Sequence, residues 1–202
     1  MSDVSSRRPV DFDQLHQQPD PFGLRTSWYE QRKRALVTAA LPRRAFERGW
    51  EIGCSNGELT AALAERCSVL LATDVSPRAV SLARARNAEN PHVIVERSAQ
   101  PEDWPDGTFD LIVLSEVGYY LDHCGLRRTI SKAHSSLTPN GVLVACHWLA
   151  PFEAATATGS EVHALIARCL PLARICRYQD ADFLLDVWCA ETSSVANREG
   201  LK

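Results

Sequence analysis

The stretch "GWEIGCSNGELT", Gly49 to Thr60, decides how this chain is read. A short apolar run, "GWEIGC", ends in a turn, and Glu58 to Cys67 continues as an amphipathic helix. The unit is a buried strand, a turn and a helix. Turns of this kind hold nucleotides, and the dinucleotide fingerprint places glycine at three positions, G-x-G-x-x-G. Here Gly53 fills the first, Ser55 stands at the second and Glu58 at the third, with Gly57 one residue early. A pyrophosphate fits poorly. Ser55 carries a side chain where the backbone must come close, and Glu58 brings a carboxylate to a helix start that favours anions.

Working outward, strands alternate with helices. Residues 27–41 read as a helix with Ser27 as N-cap and Pro42 beyond its end. "VLLATD" (69–74) is a second strand, followed by a helix with Ser76 as N-cap and Pro77 at its first position, running to about Asn87. "HVIVER" (92–97) is a third strand and "FDLIVLSE" (109–116) a fourth, apolar almost throughout as a strand covered on both faces should be. Residues 125–137 are helical, "PNG" (139–141) is a turn and "VLVACHWL" (142–149) a fifth strand. A helix over 160–170 opens on a serine N-cap, and "ARICRYQ" with "DFLLDVWCA" forms a closing hairpin. The alternation predicts an α/β fold, a parallel sheet between two helical layers, with an antiparallel strand at one edge. Residues 1–24 and 191–202 read as flexible ends around one domain, 25–190.

Composition narrows the partners. A net charge of -3 lacks the basic excess of a general nucleic-acid binder. The basic cluster around "QRKRA" (31–35) reads as a solvated helix face. No apolar run approaches membrane-spanning length. Seven cysteines without a C-x-x-C pair speak against zinc and fit a reducing cytoplasm, and no metal site is expected.

In open α/β sheets, ligands bind at the carboxyl ends of the strands, where Gly53 to Gly57 lie. S-adenosylmethionine suits this turn better than a dinucleotide. It has no phosphate, and its amino-acid end is zwitterionic. The turn with Gly53, Cys54, Ser55 and Gly57 meets its carboxylate, while Glu51 helps hold its ammonium. Asp74, with Val75 after it, follows Gly53 by about 20 residues, the place from which an acid grips ribose hydroxyls. Its competing role is a cap for the "DVSP" turn.

The segment "RSAQPEDWPDGTFDLIVLSE" resembles the class I methyltransferase stretch that runs G-D-A, a polar loop, then P-D-G-x-F-D and the fourth strand. The resemblance covers roughly residues 47–149 and implies the three-layer, Rossmann-like, seven-stranded fold with its last strand antiparallel. Ser98 and Ala99 fall where that family holds the adenine edge, Ser98 replacing the usual aspartate. A narrower resemblance, carried by "EIGCSNGELTAALA", "LIVLSEVGYYL" and "SWYEQRKRAL", is to the nodulation-protein-S type. It implies N-methylation of an amino sugar in an oligosaccharide or of another small amine, with S-adenosylhomocysteine as product.

Methyl transfer needs alignment and exclusion of water more than a covalent intermediate. Ser115 and Glu116, Tyr119 and Tyr120, and His147 stand at the ends of the fourth and fifth strands, and these last four are candidates to meet the acceptor. Glu116 has a capping role as its alternative, one tyrosine of the pair can pack in the core, and a strand histidine is more often a satisfied core residue than a base. Tyr29 and Arg32 on the first helix are placed to fold over the cofactor. An O-methyltransferase, a binding-only relative and a nicotinamide oxidoreductase stay open as alternatives. The last lacks the third glycine and a Y-x-x-x-K pair.

Overall fold

A computed structural model describes residues 10–202. Seven strands form one sheet in the order β3-β2-β1-β4-β5-β7-β6. They are β1 Phe46–Ile52, β2 Cys67–Asp74, β3 Val93–Arg97, β4 Phe109–Ser115, β5 Leu137–Trp148, β6 Ala173–Gln179 and β7 Phe183–Cys189. The first five pair in parallel, and β7 pairs antiparallel with both β5 and β6. The last strand is therefore antiparallel, as expected, but it lies one place in from the edge. The reason is burial. Every residue of β7 is buried, whereas β6 has none in the core, so the more apolar strand takes the inner position.

The helices are α1 Phe12–Leu15, α2 Trp28–Ala39, α3 Glu58–Ala64, α4 Pro77–Arg86, α5 His123–Ser136, α6 Gly159–Cys169 and α7 Val195–Arg198. Successive strand side chains point to opposite faces. Leu70, Leu111, Val113, Val142 and Val144 therefore meet α2 and α3, through Val37 and Leu63, and Leu41 just beyond α2. Ala72 and Val95 meet Val80 and Ala83 of α4. The opposite set, Trp50, Ile52, Ile112, Leu114 and Leu143, packs on Leu126 and Ile130 of α5 and Val162, Leu165 and Ile166 of α6. This is the three-layer arrangement.

Several local readings change. The turn expected at 139–141 lies within β5. Phe109 pairs with Leu137 but Leu111 with Val142, so the extra residues bulge from a strand that continues. The cap of α6 is Thr158, not Ser160, because Thr158 and Glu161 exchange hydrogen bonds in a full capping box. Ser76 and Pro77 open α4 as expected, the serine side chain accepting from the Ala79 amide.

The end segments make contacts with the domain. Residues 1–9 of the expected flexible segment lie outside the described residues. Within 10–24, Asp13 accepts from the Ser76 hydroxyl and the Arg78 amide, and His16 Nε2 lies 2.8 Å from Ser55 Oγ. Phe12 sits edge-on against Tyr120 at 4.9 Å. The segment thus straps the carboxyl ends of β1 and β2. In the closing tail, Arg198 donates to the Pro42 carbonyl. Among the described residues, no helix is long and apolar enough to cross a membrane.

Candidate active site

A cavity of about 650 Å³ opens at the carboxyl ends of β1, β2 and β4. Its floor is the turn read from the sequence. Gly53 has φ +80°, and a Cβ there would lie 2.1 Å from Val117 Cγ2, so only glycine lets the turns after β1 and β4 close on each other. Gly57 has φ +82° but serves packing. A Cβ there would lie 2.8 Å from Ala83 Cα of α4, and Gly57 does not line the cavity.

The amides expected to face an anion already have partners. Those of Gly53 and Cys54 donate to Thr73 O, that of Ser55 to Asp74 Oδ2 and that of Gly57 to Cys54 O. Glu58, expected to repel a phosphate, is paired with Arg25 and Arg86 at 2.7 and 2.9 Å. Side chains dominate this floor, chiefly two acids. Asp74 is buried, and its oxygens accept separately from Ser55 N and Ser76 N, both at 2.9 Å. Burial pushes its carboxyl up, against these two bonds. The ribose-acid and turn-cap readings of Asp74 are compatible, since each carboxylate oxygen keeps a second lone pair. Glu51 accepts from Thr60 Oγ1 at 2.5 Å and is otherwise enclosed, and burial pushes it up to about 8.

That value has a consequence for stability. A carboxyl whose folded pKa is raised contributes stability below the unfolded value, and this is lost as pH rises through the folded value. The free protein should therefore lose about 1.4 kcal/mol per pH unit from this group as pH climbs from the ordinary carboxyl range to about 8. Glu51→Gln should remove that slope. Urea unfolding at pH 6 and pH 8, wild type against variant, checks it, and equal slopes would refute it.

Val75, Ser98, Ala99, Gln100 and Ser115 line the same cavity. The Ala99 amide, however, donates to Asp103 Oδ2 at 3.0 Å, and Gln100 Nε2 donates to Ser98 Oγ at 2.6 Å. Asp103 thus braces the Ser98–Gln100 loop without lining the cavity itself.

At the other end stands Glu116, in left-handed backbone at φ +58°, a conformation that costs a non-glycine residue about 1–3 kcal/mol and needs firm surroundings. Its amide donates to Cys146 O at 2.8 Å. Its carboxylate accepts from Lys33 Nζ at 2.8 Å, from Trp148 N at 3.2 Å and from the Tyr119 hydroxyl. Lys33 also donates to Glu30 at 2.8 Å. Burial disfavours the Lys33 charge, yet Glu116 and Glu30 outweigh it and hold the ammonium above its ordinary value. Glu30, Lys33 and Glu116 thus form one linked cluster on the cavity wall, which Arg34 also lines, and burial pushes the Glu30 carboxyl up against the pull of Lys33. The buried Tyr29 hydroxyl beside them has no hydrogen-bond partner among the described residues. Tyr120 and Phe152 close the opening, their rings 5.7 Å apart.

Besides Gly57, two further candidates fall outside the cavity. Arg32 donates to Asp180 at 2.8 Å and to the Tyr178 hydroxyl, pinning α2 to the hairpin instead of reaching a cofactor. The helical turn that places Lys33 inward turns Arg32 away. His147 is fully buried and does not line the cavity, because both ring nitrogens are engaged in the core, with Gly118 and His163. Glu30, Lys33 and His16 were missed. A helix with low amphipathicity and a basic run gave no sign that one lysine faces inward.

A methyltransferase domain family model matches residues 50–143. A nodulation protein S from Sinorhizobium fredii is 32% identical over 127 residues, 62% of this chain and 59% of the relative, so the chain spans well under two thirds of that protein's length. A putative methyltransferase from Pseudomonas syringae of known structure is 47% identical, with a TM-score of 0.73 over 81% of this chain and 99% of that one. The N-methyltransferase NodS from Bradyrhizobium japonicum, solved with S-adenosylhomocysteine, is 27% identical, with a TM-score of 0.79 over 88% of this chain and 95% of that one. With a cavity built on Gly53, Glu51 and Asp74 and this degree of identity, the chain belongs to the class I S-adenosylmethionine-dependent methyltransferase family and is similar, within it, to nodulation protein S.

Proposed function

We propose that this protein is an S-adenosylmethionine-dependent N-methyltransferase acting on a small-molecule amine, an amino sugar or amino-bearing oligosaccharide included. The cofactor supplies an electrophilic methyl group when bound. Asp74 then holds the ribose hydroxyls, Glu51 the ammonium, and Ser98, Ala99 and Gln100 the adenine edge. Val75, Cys54, Ser55 and Ser115 shape the wall around it. Residues 25–190 form the catalytic domain, and 10–24 cover it. Seven unpaired cysteines are in keeping with a cytoplasmic location.

One observation carries the choice of an amine. Glu30 and Glu116 stand together on the acceptor wall, bridged by Lys33, so two carboxylates are on hand to meet an amine inside a mainly apolar cavity. The unpartnered Tyr29 hydroxyl offers the amine a further acceptor, and Tyr120 and Phe152 line the same end. A protonated amine cannot attack, and Glu116 is placed to take its proton.

The test has two stages. S-adenosylhomocysteine should raise the melting temperature, stabilising by about 2.7 kcal/mol at 100 times Kd. NAD should not. Methyl transfer should then appear with glucosamine or de-N-acetylated chitooligosaccharides and be absent with phenolic or alcoholic acceptors. Transfer to hydroxyl acceptors alone would overturn the amine assignment, and a shift with NAD alone would overturn the cofactor.

A further inference from the structure

Behind the cavity a line of buried polar groups crosses four elements. Gly118 N lies 3.0 Å from His147 Nε2, His147 Nδ1 lies 3.1 Å from His163 Nε2, and His163 Nδ1 lies 2.8 Å from Asp186 Oδ2. Arg177 closes the line, its guanidinium on both Asp186 oxygens at 2.8 and 2.7 Å. His147, His163 and Asp186 are each 0% exposed.

The partners fix the protons. A peptide N–H can only donate, so His147 Nε2 is an acceptor and carries no proton. A neutral imidazole then has its proton on Nδ1, which must donate to His163. His163 Nε2 is thus an acceptor, and its Nδ1–H donates to Asp186. Every buried group in the line has a partner in one consistent direction, with both rings neutral. Burial lowers the affinity of both rings for a second proton, for His147 with repulsion from His163 and Lys33, and for His163 against the hydrogen bond and charge of Asp186. Asp186 stays ionised, at about 2, because Arg177 and His163 outweigh its burial.

The site end of this line meets the turn that carries the acceptor residues. His147 seats directly on Gly118, where a Cβ would lie 2.9 Å from Nε2 and 2.6 Å from Val162 Cγ1. The same ring packs edge-on against Tyr119 at 5.3 Å, and the Tyr119 hydroxyl donates to Glu116. The line cannot deliver a proton to the cavity, since it ends on a peptide amide.

We infer that His147, His163 and Asp186 are positioning residues that lock the Val117–Tyr120 turn, and through Tyr119 hold the Glu116 carboxylate in its strained place facing the acceptor. The inference rests on the methyl-transfer reading for its kinetic consequence and on no acceptor for its geometric one.

Two variants separate positioning from mere core packing. His163→Gln keeps an acceptor for His147 and a donor for Asp186, whereas His163→Phe keeps the bulk and loses both. His163 lies outside the cavity, so both should bind S-adenosylhomocysteine within about threefold of wild type, too little to register as a lost hydrogen bond. The Phe variant should lose about 10²-fold in kcat, the size expected of a small misplacement at the reacting centre, and the Gln variant should regain most of it. Gly118 amide exchange should be fast in the Phe variant and slow in the other two proteins. Nitrogen NMR of the wild type should show both rings as neutral Nδ1–H tautomers, a measurement that survives any failure of a variant to fold.

A Phe variant with wild-type kcat overturns the inference. So does a Gln variant as slow as the Phe variant while its Gly118 amide is protected, or a wild-type ring in the other tautomer. Absence of wild-type turnover on every amine would instead sink the functional reading, and the amide and tautomer measurements would still decide the lock.

Discussion

Glu116→Gln should lower kcat by about 10²–10⁴-fold, the usual loss for a general base, while S-adenosylhomocysteine affinity stays within about threefold. The substitution keeps size and shape and removes charge and basicity. Glu116 is placed to show this, since it lines the cavity and three donors fix its carboxylate: Lys33, Tyr119 and Trp148 N. A glutamine has one acceptor oxygen where the carboxylate serves donors on both. Its NH₂ would face either Lys33 or the Tyr119 hydroxyl. The variant should therefore also loosen α2 at Lys33, whose ammonium would keep only Glu30. Single-turnover rates at saturating cofactor, with affinity measured apart by calorimetry, check the prediction. Wild-type turnover in the variant would remove Glu116 from the chemistry and leave Glu30 as the remaining acid on that wall.

Asp74→Ala should weaken S-adenosylhomocysteine binding by about 10²-fold or more, since each hydrogen bond to a charged group contributes about 1.5–3 kcal/mol and a ribose diol offers two. The structure adds a second expectation. Asp74 is buried and holds the Ser55 and Ser76 amides, so its loss leaves two turn donors without their acceptor. Stability of the free protein should fall by about 1–3 kcal/mol. An exposed strand-end carboxylate would show the binding loss alone. Calorimetry on the folded variant, together with urea unfolding, separates the two effects. Unchanged affinity with lost stability would make Asp74 a structural cap only.

The cofactor half of the site was legible because it is built from residues close in sequence to strand ends. Gly53 and Asp74 stand next to β1 and β2, the two strands pair in register from Phe46 with Cys67 to Ile52 with Thr73, and so their tips must be neighbours. Ser98 and Ala99 follow β3 by the same logic. Once the parallel order is given, strand-end residues converge without any knowledge of side-chain contacts. Glu116 and the tyrosine pair were reached in this way too.

The acceptor half was less legible. Lys33 meets Glu116 across 83 positions of sequence, from a helix whose basic run looked solvated. His147 sat at the right strand end but on the wrong face. Its neighbour in β5, Cys146, points to the α2 side, whereas His147 points to the α6 side and is captured by His163. A strand position gives the end of the sheet, and the alternation gives the face, but the identity of the partner on that face comes from a helix 16 residues on.

The sequence by itself therefore determined the layers, the parallel core of the sheet, and the turn after β1 and acid of β2 that meet at the cavity, because hydrophobic period and glycine placement act locally and strongly. Tertiary structure alone decided three things. It put β7 inside β6, drew residues 10–24 over the cavity, and turned Lys33 inward and His147 away. The strand order follows apolar burial, and the other two depend on which distant polar groups can satisfy one another once buried. The burial pattern of a chain says that such groups must be paired, and only the packing of separate elements says with whom.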